Sequence, residues 1–168
     1  MTKNEVCQAV ARRLGCSAAR IPKLLDSLHK AGLIQPTKGS RRFPPEIDEH
    51  DTVAIVLAVL SDRGLDPAAD NTRKLAALHG AEGRFDNWLQ MVLFGPPRHV
   101  QHIVVGPDGV SVVVDGVHVV FGQAPQTAAK IVPGTAVMAL AAELQGASPR
   151  DADAIAALTN IRRAYAQH

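Results

Sequence analysis

Apolar positions recur along this chain in two rhythms, one of three to four residues and one of two. Val6, Val10 and Leu14 lie at helical spacing, behind Thr2 and Glu5, whose three-residue offset predicts a capping box. Gly15 stops that run. Ser17 opens a second helical stretch in which Ile21, Leu24, Leu25 and Leu28 form one apolar stripe, and Gly32 ends it. A third helix is expected over 52–63, capped by Asp51 and ended by Gly64. Its residues Val53, Ile55, Val56, Leu57, Val59 and Leu60 surround most of the cylinder, which predicts burial in a core or against a second subunit. Asp66-Pro67 starts a fourth helix that runs towards Leu78. A shorter one carries Phe85, Trp88, Leu89 and Val92 on one face before Pro96-Pro97 closes it.

The rhythm then changes. Residues 100–105, 110–114 and 117–121 are β-branched runs separated by Pro107-Asp108-Gly109 and Asp115-Gly116, which predicts a three-stranded antiparallel meander. After Pro125 the pattern is helical again. Val137, Leu140, Ala141 and Leu144 form one stripe, and Ser148-Pro149 with Asp151 opens a last helix. The expected fold class is α+β, with a helical head at 1–45 and a mainly helical body at 46–168 that contains the meander.

Charge sharpens this division. Residues 1–45 carry nine Lys/Arg against two acids, a net +7, while 46–168 carry nine against fourteen, a net −5. A basic head on an acidic body points to a polyanionic partner for the head alone. The longest apolar run is too short for a membrane span, and the first residues have no apolar signal-peptide core. A cytoplasmic protein without a membrane partner is therefore expected. Cys7 and Cys16 have no metal-ligand spacing and read as small buried apolar groups.

Within the head, Ala11-x3-Gly15-x5-Ile21-x2-Leu24 has the spacing of two helices joined by a turn that requires a left-handed residue. The phrase from Leu24 to Ile34 follows it, with Lys38-Gly39-Ser40-Arg41-Arg42 beyond. Over about a quarter of the chain, these residues resemble the helix-turn-helix core of bacterial transcription regulators, in particular winged-helix proteins of the MarR family. The resemblance implies a recognition helix followed by a β-hairpin wing with Lys38, Arg41 and Arg42 at its tip.

Helical geometry independently puts Arg20, Lys23 and Ser27 opposite the apolar stripe. The expected DNA-contacting set is Ser17, Arg20, Lys23, Ser27, Lys38, Arg41 and Arg42, with cations on phosphates or guanine edges. Pro22 departs from the pattern, and predicts either an irregular turn over 17–20 or a kink.

No catalytic constellation, metal site or cofactor is expected in the body. His102 and His118 can approach across the meander, but Asp108 and Asp115 read as turn formers. Trp88 with Phe85 reads as core. A homo-oligomer, with a dimer favoured, would double the DNA contacts, and Val53, Val56, Leu57 and Leu60 are its expected interface. The leading expectation is a sequence-specific transcription regulator and not an enzyme. A viral DNA-packaging recognition subunit (a terminase small subunit) and a protein-interaction adaptor stand behind it.

Overall fold

The computed structural model of the chain describes residues 1–35, 46–64, 67–126 and 130–166, with side chains as far as 161. It is a mixed α/β protein. Helix α1 spans Lys3–Leu14, and its capping box forms as the spacing predicts. Thr2 Oγ1 accepts from the Glu5 amide at 3.4 Å, and the Glu5 carboxylate accepts from the Thr2 amide at 2.7 Å. Gly15 closes the helix with φ 67°, a left-handed conformation that costs glycine little. Helix α2 spans Ile21–Lys30. Residues 18–20 form a turn, the Arg20 amide donating to the Ser17 carbonyl at 2.9 Å. Pro22 thus falls in the first turn of α2, where its missing N–H leaves no intrahelical bond unmade.

Helix α3, Glu49–Ser61, begins earlier than expected. Asp48 is the cap, its carboxylate accepting from the Asp51 amide at 2.7 Å. Asp51 itself lies inside the first turn, buried, and accepts from the Gln35 amide at 3.0 Å. Helix α4 follows at Ala68–Ala76, with Pro67 in the capping position; Asp66 lies outside the described residues. A two-residue hairpin, β1 (His79–Gly80) and β2 (Gly83–Arg84), leads into α5, Phe85–Phe94. Then come β3 (Val100–Val105), β4 (Gly109–Val114), β5 (Val117–Gly122) and β6 (Lys130–Pro133). Helices α6, Gly134–Leu144, and α7, Pro149–Ala166, complete the described chain.

Strands β3, β4 and β5 pair in antiparallel succession, but they are the middle of a larger sheet, not a sheet of three. Its order is β2-β1-β5-β4-β3-β6. The additions were hidden by length. The hairpin strands have two residues each, and Lys130-Ile131-Val132-Pro133 is too short to display an alternation, so the return after Pro125 looks helical.

Period-two alternation sorts the sheet into two faces. Val100, Ile103, Val105, Val110, Val112, Val114, Val119, Phe121 and Val132 point inward and are buried. The aromatic trio Phe85, Trp88 and Phe121 stands at the centre, with ring centroids 5.2–5.7 Å apart, as the reading of Trp88 and Phe85 as core requires. Helix α3 threads the same cluster. Its Val53, Val56, Leu57 and Leu60 are at most 5% exposed within the single chain. These four residues are therefore core, not the oligomer interface expected of them. An all-apolar helix satisfies either role, and here α1, α2, α4 and α5 already surround it.

The residues expected to form an independent head share this cluster. Val6, Val10, Leu14, Ile21, Leu24, Leu28 and Ile34 pack in one continuous core with α3, α5, α6 and the sheet. The described part of the head has no core of its own.

Candidate nucleic-acid interface

The two N-terminal helices do not cross in close contact. Each packs against α3, and a groove of about 640 Å3 separates them, lined by Cys7, Gln8 and Ala11 on one side and Ile21, Pro22 and Leu25 on the other. Ala11, the first residue of the helix-turn-helix spacing, lines that groove. One polar tie spans it, Lys3 Nζ lying 2.7 Å from His29 Nε2.

Lys3 aside, the described basic side chains of the head divide into two groups. Arg12, Arg13 and Arg20 reach across to carboxylates of the body. Arg12 and Arg13 converge on Glu143 of α6, and Arg13 also bonds Asp153 and the Pro149 carbonyl of α7. Arg20 grips Asp62 with two nitrogens, at 2.7 and 3.0 Å, and donates to the Gly64 carbonyl at 2.9 Å. The two Arg20 bonds, with one from the Gly64 amide at 3.0 Å, hold the Asp62 carboxyl below the usual range, against the opposing effect of burial. Beside this pair, Lys130 Nζ donates to the Val59 carbonyl at 2.9 Å. A large part of the charge asymmetry thus holds the N-terminal helices to the rest of the fold.

Arg20 is consequently not a free cation on the outer face of α2, as its helical position suggested. It precedes the first helical residue, where the turn directs its side chain towards the end of α3.

The second group remains outward. Lys23, in the first turn of α2, is exposed, and its ammonium has no partner among the described residues. Ser17 is exposed in the turn, while Ser27 is half-buried. Lys30 is exposed but bonds Asp26 one turn earlier at 2.7 Å, so that pair adds no net charge to the face. Lys38, Arg41 and Arg42 lie outside the described residues, so the expected wing has no structural description. Of the predicted set, Lys23 and Ser17 are exposed, Ser27 is half-buried and Arg20 is engaged by Asp62.

Comparison with family models, curated proteins and solved structures finds no match.

Elsewhere the titratable groups are dispersed. Among the described residues no three His, Cys, Asp or Glu side chains cluster as metal ligands would. His102 and His118 both pair with Val113, from opposite sides, so a strand stands between them. His118 Nε2 lies 2.6 Å from Ser111 Oγ on the outer sheet face, and His99 Nε2 lies 2.7 Å from Asn160 Oδ1. Cys7 is buried and Cys16 half-buried; both are free, and burial pushes both thiols up. No helix among the described residues is long and apolar enough to cross a membrane.

The residues that sequence reasoning missed are the carboxylates. Asp62, Glu143 and Asp153 are separated from their arginines by 42, 131 and 140 residues, and no local pattern announces such partners.

Proposed function

We propose that the protein binds double-stranded DNA through the outer face of α2, its preceding turn and the basic stretch Lys38, Arg41 and Arg42, and that it acts as a transcriptional regulator. The observation that carries this reading is Lys23. It is exposed in the first turn of a ten-residue helix and has no partner among the described residues, whereas three nearby arginines are engaged internally. A helix N-terminus favours phosphate through its amide groups and dipole, and a cation there extends that reach. Support also comes from the left-handed Gly15 between α1 and α2 and from the basic residues that follow α2 in the sequence.

Fluorescence anisotropy with a random-sequence duplex pool at two salt concentrations tests the reading. Salt-sensitive binding is expected for the wild type. Lys23→Ala combined with Arg41→Ala and Arg42→Ala should lower the salt slope by about 0.9 for each phosphate that is no longer neutralised. Arg20→Ala should leave the slope unchanged, because that guanidinium is held by Asp62. Equal binding by wild type and triple variant would move the surface elsewhere.

A second reading, a protein-interaction adaptor, is favoured by the exposed apolar residues Ile131, Ile155 and Leu158. Absence of salt-sensitive binding by the wild type would put it first.

A further inference from the structure

Helix α7 rests on the body through very small side chains. Ala152 and Ala156 meet Met138 and Ala139 of α6 in a minor cluster separate from the main core. Alanines let the two helix backbones approach along that line but cannot fill the space beside it. A cavity of about 270 Å3 results, bounded by Val92 of α5, Met138 and Ala142 of α6, Ile155 and Thr159 of α7, and Arg98.

We propose that this cavity is a binding site for a neutral, apolar small molecule about the size of a fused two-ring aromatic. Volume sets the size: an apolar cavity of about 150 Å3 accommodates one benzene, and this one is larger. Its walls lack dispersion partners on the open side, which an apolar occupant supplies. Ile155, 43% exposed at the edge, would also gain cover.

Electrostatics decides that the occupant is neutral. Among the described side chains of the wall the one cation is Arg98, and it is already balanced by Glu82 at 2.9 Å and Asp115 at 3.1 Å. The side-chain amide of Gln145 donates to the Leu93 and Gly95 carbonyls, and the Thr159 hydroxyl to the Ile155 carbonyl. A carboxylate entering here would lose its hydration without meeting a free counter-charge or donor among the described residues of the wall. The site stands on the cavity alone and does not depend on DNA binding.

The test is titration of the full chain with the neutral naphthalene dye Prodan. Saturable one-to-one binding is expected, with blue-shifted emission and energy transfer from Trp88, the single tryptophan, one helical turn before Val92. Naphthalene should displace the dye, and naphthoate should not. Ala142→Leu and Thr159→Met, which fill the cavity from opposite walls, should each weaken binding by about tenfold or more. Leu158→Ser, on the exposed side of α7, should leave it unchanged. Thermal melts of all three variants keep loss of binding distinct from loss of fold. The proposal is overturned if the dye does not saturate, if naphthoate competes as well as naphthalene, or if both filled variants bind like the wild type. Failure of Leu158→Ser to bind, or binding that depends on protein concentration, would assign the signal to contact between copies and overturn it equally.

Discussion

The Arg13 guanidinium on α1 and the Glu143 carboxylate on α6 meet with Nε and Oε1 2.6 Å apart, across 130 residues of chain. Glu143 is 4% exposed and accepts from Arg12 on its other oxygen, so its charge is buried only because two cations face it. Arg13 carries the link onward to Asp153. One guanidinium thereby fastens the first helix to the last two.

Removing different members of this cluster has unequal consequences. Glu143→Ala leaves Arg13, itself only 12% exposed, short of its buried partner, and should cost about 3 kcal/mol in urea unfolding. Arg12→Ala, at a side chain 45% exposed, should cost under about 1 kcal/mol. Equal costs would mean that the buried carboxylate is not what holds α1.

The Arg20–Asp62 pair predicts a pH dependence. Asp62 has a depressed carboxyl in the fold, so its contribution is present above the ordinary aspartate range. It is lost as pH falls through the folded value. Asp62→Asn should therefore destabilise near neutrality, by no more than about 1 kcal/mol once solvent screening is included, and the difference from wild type should vanish as pH falls below that folded value. A difference that persists in acid would assign the loss to packing instead of charge.

Leu57 separates core from interface. Its burial is internal, 2% exposed in the single chain. Leu57→Ala should cost about 2–5 kcal/mol, with an unfolding midpoint independent of protein concentration. An interface residue would make the midpoint rise with concentration.

Two glycines are needed for different reasons. At Gly15 a Cβ would meet nothing within 4 Å, and only the positive φ opposes it, so Gly15→Ala should cost about 1–2 kcal/mol. At Gly134, where α6 starts against β3, a Cβ would lie 1.8 Å from the Val100 carbonyl oxygen. Gly134→Ala should cost about 3 kcal/mol or more, since the backbone itself must move. Thermal melts of the two variants check the order.

Features closed within a few residues were determined by the sequence alone. Thr2 and Glu5 cap α1, Ser148 and Asp151 bond across the start of α7, Gly15 stops α1, and the valine runs become β3, β4 and β5. Caps, turns and strand alternation depend on neighbours in the chain, so their chemistry is written locally. The tertiary structure decided what such signals leave degenerate. Helix α3 became the core because other helices of the same chain surround it, although its pattern fits a subunit interface equally well. Arg20 turned inward because Asp62, 42 residues away, supplies a charge-assisted bond that solvent exposure of the helix face cannot match. The excess of basic residues was legible from the first 45 positions; which of them remain available to a partner depends on where distant carboxylates come to lie in the fold.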